Sequence, residues 1–122
     1  HDALPIYMEL RPPDTDRAQK FWSAAFGWTF TKQPGPMDYW GMSTGSDTDP
    51  GVHGGMMKPR DGEPRCVPWI EVVDVDGATR KVVQLGGQVR VPKMTVPGVG
   101  ELAYCSDPDG IVFAVVRCST NA

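Results

Sequence analysis

Apolar residues recur near the start of the chain with two different periods, which predict a strand followed by a helix. Residues 6–10 form a short apolar run with one charged position, Glu9, as expected of a half-buried strand. After a Pro-Pro-Asp stop, apolar side chains recur three and four residues apart, at Ala18, Phe21, Trp22, Ala25 and Phe26. This spacing indicates an amphipathic helix that ends at Gly27, and it predicts that Phe21 and Trp22 lie in the core.

The same order of elements is predicted twice along the chain. In the first half, strands are expected at residues 28–31, 39–44 and 52–58, after the helix. The second half repeats this order with a strand at 67–73, a second helix, and strands at 88–91, 101–105 and 111–117. The apolar stripe predicted for this helix consists of Ala78, Val82, Val83 and Leu85. Residues 92–100, which include Lys93, are expected to form a long loop that covers a ligand site.

Short sequence echoes support a duplication with a spacing of about 60 residues. Met8-Glu9-Leu10 corresponds to Ile70-Glu71-Val72, and Asp16-Arg17-Ala18 corresponds to Asp76-Gly77-Ala78. The strand–helix–strand–strand–strand order therefore predicts an α+β fold of two tandem βαβββ modules. We expect a single domain over residues 1–122, built from module 5–58 and module 66–117.

Composition and charge restrict the functional classes. Hydrophobic residues make up 40% and charged residues 22%, a mixture typical of globular domains. A net charge of −3 argues against a nucleic-acid surface. No apolar run reaches the roughly 20 residues that cross a bilayer, and no signal-peptide pattern is present, so a cytoplasmic location is expected. The three cysteines are widely spaced, which favours free thiols over a disulfide or zinc framework.

Several motifs in this order resemble the vicinal-oxygen-chelate superfamily, which includes glyoxalases, bleomycin-resistance proteins and extradiol dioxygenases. They are residues 21–28 (FWSAAFGW), 73–76 (VDVD), 84–87 (QLGG), 96–100 (VPGVG) and 107–110 (DPDG). The resemblance covers residues 5 to 117. It implies mixed, curved sheets that form a cup, helices on the outer face, a small-molecule ligand in the cup and a homodimer.

The resemblance also implies four positions for metal ligands, usually His and Glu. They fall on Tyr7, near Gly54, on Val67 and on Ala114. These side chains do not form a metal site, because such sites need imidazole, thiolate or carboxylate donors. No cofactor is therefore expected. The alternative is a divalent metal in an unusual site built from His53, Glu9 and Glu71.

Other polar and aromatic residues are candidates for lining a pocket. Because side chains alternate along a strand, Glu9 shares a face with Tyr7, and Glu71 shares a face with Trp69. The carboxylates serve as acid and base, or hold a cationic group, or else are exposed or paired with a nearby Arg or Lys.

His53 is a candidate base or ligand, or else a turn residue without a role. Tyr39, Trp40 and Trp69 form an aromatic wall for a planar ligand, or else pack in the core.

Three functions fit this sequence. The first is a metal-free protein that binds a small molecule in the cup, as bleomycin-resistance proteins do. The second is a lyase, isomerase or dioxygenase-type enzyme that uses an atypical metal site, or Glu9 as a base without metal. The third is a non-catalytic interaction subunit. The fold alone does not separate them, because one fold serves many functions.

Overall fold

A computed structural model describes residues 3–118 of the chain. In the first half, the elements are β1 (Leu4–Arg11), α1 (Thr15–Phe26), β2 (Thr29–Lys32), β3 (Trp40–Ser43) and β4 (Gly54–Met56). In the second half, they are β5 (Arg65–Glu71), α2 (Val75–Gln84), β6 (Gln88–Val96), β7 (Gly100–Ser106) and β8 (Val112–Cys118). No helix within residues 3–118 is long and apolar enough to cross a membrane.

The contacts divide the chain into two compact units. Residues Tyr7–Val67 form one, called here the N-terminal unit. The C-terminal unit begins at Pro68 and also includes the first residues of the chain, through Ile6. Strand β1 therefore contributes its first residues to one unit and the remainder, including Glu9, to the other.

Both units have the same strand order. In the N-terminal unit the order is β2-β3-β4-β1, and in the C-terminal unit it is β6-β7-β8-β5. In each unit three strands are antiparallel, whereas the strand before the helix pairs in parallel with the last strand. Glu9 lies opposite Gly55 in one parallel pair, and Trp69 lies opposite Ala114 in the other. The α+β class and the duplicated βαβββ order are therefore confirmed.

The boundaries of α1 lie where the sequence predicts them. The Asp14 side chain caps the first turn by accepting a hydrogen bond from the Arg17 backbone N–H at 3.0 Å. At the other end, Gly27 has φ 74° and donates its backbone N–H to the carbonyl of Ser23 at 2.9 Å. A left-handed residue at this position favours glycine, which lacks a Cβ, and so α1 ends there.

Helix α2 packs on its own sheet. Its first residue, Val75, is buried against Ala103, Cys105 and Val115, which project from β7 and β8. Val82, one to two turns further along α2, packs against the edge of this cluster. Of the predicted apolar stripe, Ala78 and Val82 therefore pack on the sheet, whereas Val83 and Leu85 are exposed and their predicted place on the buried face is wrong.

The stripe of α1 has a different role from the predicted one. Phe21 and Phe26 are 58% and 61% exposed, and Trp22 is half-buried, so the predicted core position of Phe21 is wrong and Trp22 is only partly covered. The rings pack against one another: Trp22 stacks on Trp28 with centroids 4.9 Å apart and planes 6° apart. Periodicity shows which side chains share a face, but not what covers that face.

The loop predicted at residues 92–100 is mostly strand. Strand β6 continues to Val96, and only a short turn separates it from β7. Pro92, which suggested the loop, is accommodated because β6 is the edge strand of its unit and the β6–β7 register shifts on either side of Val91. Lys93 forms an ion pair with Asp76 at 3.0 Å. It lies on strand β6, so the predicted loop over a ligand site is not present at this position.

Two valines of α2 provide a matched test of this packing. Val75 is 1% exposed and Val83 is 56% exposed. We expect Val75→Ala to lower the free energy of unfolding by about 2 kcal/mol, since it removes buried methyl groups and leaves a cavity. The control Val83→Ala should change it by less than about 0.5 kcal/mol. Urea unfolding measures both, and equal effects would contradict the core described above.

Candidate functional site

Strand β1 places three polar side chains on one face of the N-terminal unit. Alternation along the strand puts Tyr7, Glu9 and Arg11 on the same side. Glu9 and Arg11 are buried, whereas Tyr7 is half-buried. The strand therefore carries a row of polar side chains, and the two charged ones are the most buried. Such burial of ionisable groups is unusual in a small domain.

Glu9 and Arg11 form a buried ion pair. The Arg11 Nε and Nη2 atoms donate to the same oxygen, Glu9 Oε1, at 3.0 and 2.7 Å. The Glu9 side chain is 0% exposed and the Arg11 side chain is 7% exposed. Transfer of either charge alone from water costs several kcal/mol, so each residue depends on the other to be tolerated here. The sequence left several roles open for Glu9, and the structure shows one of them, pairing with a nearby Arg.

Two phenols lie beside this ion pair. The hydroxyl oxygens of Tyr7 and Tyr39 are 2.9 Å apart, and either of them can be the donor of this hydrogen bond. Burial raises the pKa of Tyr39 far above its usual value, and the negative charge of Glu9 adds to the rise. Burial also raises the pKa of Tyr7. Both phenols therefore stay protonated throughout the physiological pH range and act as neutral hydrogen-bonding groups.

Gly55 makes room for the two phenols. It lies opposite Glu9 on β4, and a Cβ built there would be 2.0 Å from the Tyr39 hydroxyl oxygen and 2.5 Å from that of Tyr7. Any side chain at this position would occupy the space that the hydroxyl groups fill. A glycine is therefore needed at position 55, because the absence of a side chain leaves room for both hydroxyl groups.

His53 uses its ring to hold the loop before β4. Its Nδ1 accepts a hydrogen bond from the Thr44 backbone N–H at 3.1 Å, and its Nε2 lies 3.1 Å from Asp47 Oδ1. Accepting at Nδ1 requires a neutral ring with its proton on Nε2. Around it lies a shallow surface depression of about 90 Å³ lined by loop residues 44–51. Both ring nitrogens of His53 thus have partners in the loop before β4.

Trp40 does not join Tyr39 in an aromatic wall. The two residues are adjacent, and alternation places the Trp40 ring on the face of its cross-strand partner Met56. The Lys32 ammonium group lies 5.6 Å from the centre of that ring, a distance suited to a cation–π interaction. Of the three predicted aromatic candidates, Tyr39 is the one that hydrogen-bonds Tyr7.

The remaining candidates belong to the C-terminal unit. Trp69 is buried and contacts Tyr104 edge to face, with ring centroids 6.4 Å apart. Burial raises the pKa of the Cys118 thiol, and the nearby Glu71 carboxylate adds to the rise. All three cysteines are free, as the sequence predicts. Trp69 thus packs with Tyr104, and Glu71 has a local partner.

The four positions implied for metal ligands do not fit a metal ion. Val67 and Ala114 are fully buried apolar residues, and a Cβ at Gly54 would lie 1.9 Å from the Met8 carbonyl oxygen. The phenol of Tyr7 is bonded to Tyr39. Among residues 3–118, no three His, Cys, Asp or Glu side chains cluster closely enough to hold a metal. We therefore derive no chemical step from a metal.

Three of the sequence candidates come together in the N-terminal unit: Tyr7, Glu9 and Tyr39. We call these residues, with Arg11 and Gly55, the phenol site. The sequence analysis missed Arg11, although its position two residues after Glu9 on the same strand is the signal that identifies it. Tyr104, the partner of Trp69, was also missed.

Paired glycine substitutions test the phenol site. We expect Gly55→Ala to separate the phenols and to lower the free energy of unfolding by about 1–3 kcal/mol, the usual cost of overpacking. Gly41, which lies opposite Gly55 on β3, is the control, because a Cβ there meets only the movable end of Gln33. Gly41→Ala should leave stability and the near-ultraviolet circular dichroism of the tyrosines almost unchanged. A Gly55→Ala protein that behaves like Gly41→Ala would contradict the geometry.

A family model described as Glyoxalase/Bleomycin resistance protein/Dioxygenase superfamily matches residues 5–115. Among curated proteins, the "Putative glyoxylase CFP32" of Mycobacterium tuberculosis is 31% identical over 96% of this chain. The anthracycline biosynthesis protein DnrV of Streptomyces peucetius is 30% identical over 93% of it. The chain spans only 46% of the length of either relative.

Solved structures share the fold at low identity. A Streptomyces coelicolor methylmalonyl-CoA epimerase, bound to 2-nitronate-propionyl-CoA, has a TM-score of 0.70 at 14% identity and covers 98% of this chain and 97% of its own. The protein BH1468 from Bacillus halodurans, described as hypothetical, has a TM-score of 0.73 at 8% identity, covering 100% and 99%. At these identities the likeness concerns the fold alone.

Proposed function

The chain belongs to the Glyoxalase/Bleomycin resistance protein/Dioxygenase superfamily, and we propose that within it the chain binds a small organic molecule at the phenol site, without metal and without turnover. The bleomycin-resistance branch of the superfamily provides the model for such a role. The proposal concerns this chain only, because the curated relatives are about twice as long.

The proposal rests on one observation: the negative charge of Glu9, at the phenol site, is paired with the positive charge of Arg11. Glu9 would be the candidate base, but Arg11 donates to it twice. A general base must reach the proton of its substrate within hydrogen-bonding distance, whereas this carboxylate is fully buried under its partners. The accessible groups are the half-buried phenols, which bind through neutral hydrogen bonds and aromatic contact.

The relatives suggest which ligands to test first. The name of DnrV places that protein in anthracycline biosynthesis, and anthracyclines contain a planar aromatic ring system. A planar aromatic ligand also suits a site whose accessible surface consists of two tyrosine side chains. We therefore propose planar aromatic compounds with polar substituents as the ligand class.

A binding screen tests the proposal. The wild-type chain is titrated with bleomycin and with hydroxylated naphthalenes and anthraquinones, and calorimetry and the shift in Tm report binding. We expect at least one aromatic class to bind, and we expect Tyr39→Phe to weaken it about threefold to tenfold through loss of a neutral hydrogen bond. The Gly41→Ala protein is the control and should bind like the wild type.

Two results would contradict the proposal. If no compound raises the Tm of the wild type, binding at the phenol site is unsupported. If a compound is instead consumed, with turnover abolished by Glu9→Gln, the chain is an enzyme that uses Glu9 as a base.

A homodimer is part of the same proposal, since the resemblance to single-length relatives implies pairing. Light scattering of the chain at working concentration should then give about twice the monomer mass of 13.3 kDa. A mass of one chain over the whole accessible concentration range would overturn the dimer and leave the binding proposal intact.

A further inference from the structure

We infer that Gln33 is a further ligand-binding residue beside the phenol site, and that its side-chain amide selects planar ligands that carry a carboxamide or lactam group. The inference rests on the proposed binding function and specifies a polar group of the bound molecule. It follows from the position of Gln33 opposite Tyr39 and from the hydrogen-bonding groups that its amide leaves available.

Gln33 lies directly opposite Tyr39, at the end of the β2–β3 pair. Its backbone N–H donates to the Tyr39 carbonyl oxygen at 2.8 Å, which extends the pairing one residue beyond Lys32 and Trp40. Residues directly opposite each other in an antiparallel pair project their side chains to the same face. Gln33 and Tyr39 therefore share the face of the N-terminal unit that contains the phenol site.

The Gln33 amide lies over a glycine next to the two phenols. Its Nε2 is 2.8 Å from the Cβ position of Gly41, and the Tyr39 hydroxyl oxygen is 2.0 Å from the Cβ position of Gly55. Gly41 and Gly55 are cross-strand partners. Cβ positions of such partners are about 5 Å apart, so the amide nitrogen and the hydroxyl oxygen lie within about 10 Å of each other. One planar two-ring compound with a polar substituent can therefore contact both groups.

One donor of the Gln33 amide is used within the protein. Nε2 donates to the Thr31 carbonyl oxygen at 3.1 Å. A backbone carbonyl only accepts, so this contact determines which end of the amide is the nitrogen. A primary amide has two N–H donors and one carbonyl acceptor. Among residues 3–118, the Gln33 side chain makes no other hydrogen bond. One N–H group and the Oε1 acceptor are therefore available to a ligand.

These available groups match an amide-type substituent. Gln33 is exposed, so its amide is accessible to a ligand. A carboxamide or a lactam offers one acceptor and one donor side by side, which complements the free N–H and Oε1 of Gln33. A carboxylate or an ester offers acceptors only and leaves Oε1 without a donor. The amide group is therefore favoured over both.

Matched ligands test this selectivity. Naphthamide, methyl naphthoate and naphthoate have the same ring system, but they offer a donor with an acceptor, acceptors only, and an anion. Calorimetry with the wild-type chain should show naphthamide binding about threefold to tenfold more tightly than the ester, the value of one neutral hydrogen bond. Naphthoate should bind no more tightly than the ester.

Substitution of Gln33 tests its part in the affinity ratio. Gln33→Met keeps the length of the side chain but removes the amide, and it should bring the naphthamide-to-ester ratio close to one. The matched control is Gln84→Met, because Gln84 is an exposed residue of α2 in the C-terminal unit, and it should keep the wild-type ratio. Gly41→Ala should also keep it, since the flexible end of Gln33 can give way and still reach a ligand. A Gln33→Met protein that binds both ligands more weakly at an unchanged ratio has only a loosened hairpin, and this result would overturn the inference.

A measurement on the wild-type chain adds a second readout. The side-chain NH2 signals of Gln33 in a nitrogen–proton correlation NMR spectrum are assigned by their loss in Gln33→Met. They should shift when naphthamide is added and shift less with the ester. Unshifted signals at saturating naphthamide would overturn the inference even if the compound binds.

The outcomes separate the inference from the proposed function. If the ester binds the wild type as tightly as naphthamide while Tyr39→Phe weakens both, the inference is wrong and the binding function stands. The same holds if neither of them binds but another aromatic compound of the screen does. If no compound binds, the binding function fails and the inference fails with it.

Discussion

The buried ion pair between Glu9 and Arg11 is the constraint on which the N-terminal unit depends. Two opposite charges lie two residues apart on one strand and almost wholly out of water. Removal of either partner leaves an unpaired buried charge, which typically costs about 3–5 kcal/mol. An apolar pair would suit stability at least as well, so stability alone does not account for these residues. Burial raises the pKa of the neighbouring Tyr39, and the negative charge of Glu9 adds to the rise, so the ion pair also affects the phenols.

The phenols connect this ion pair to the surface. The Tyr7 and Tyr39 hydroxyl oxygens are 2.9 Å apart, and both lie where Gly55 leaves space. Gly55 lies opposite Glu9, so the pair of strands that carries the buried carboxylate also leaves room for the two hydroxyl groups.

Much of the fold could be predicted from the sequence because its signals are local. The caps at Asp14 and Gly27 and the repeated order of elements depend on neighbouring residues, and the structure agrees with them. The stripe of α2 is confirmed only at Ala78 and Val82. The errors occurred where tertiary context decides. Pro92 suggested a loop, yet an edge strand with shifted register accommodates it. The spacing of Phe21 indicated a buried face, yet the rings on that face cover mainly one another.

The phenol site was only partly predictable for the same reason. Alternation along β1 placed Tyr7 and Glu9 together, but the approach of Tyr39 depends on the pairing of β3 with β4. His53 was a reasonable candidate from its residue type, and only the fold of the loop shows that both ring nitrogens have local partners. Carrying the family's metal positions onto this sequence places two of them on Val67 and Ala114, which the structure shows to be buried apolar residues.

The free energy of unfolding of an Arg11→Met protein, measured in urea, would test the central claim most directly. The account predicts a loss of about 3–5 kcal/mol relative to the wild type, because Glu9 would stay buried without the cation that pairs with it. A loss below about 1 kcal/mol would contradict it, since surface substitutions cost as little.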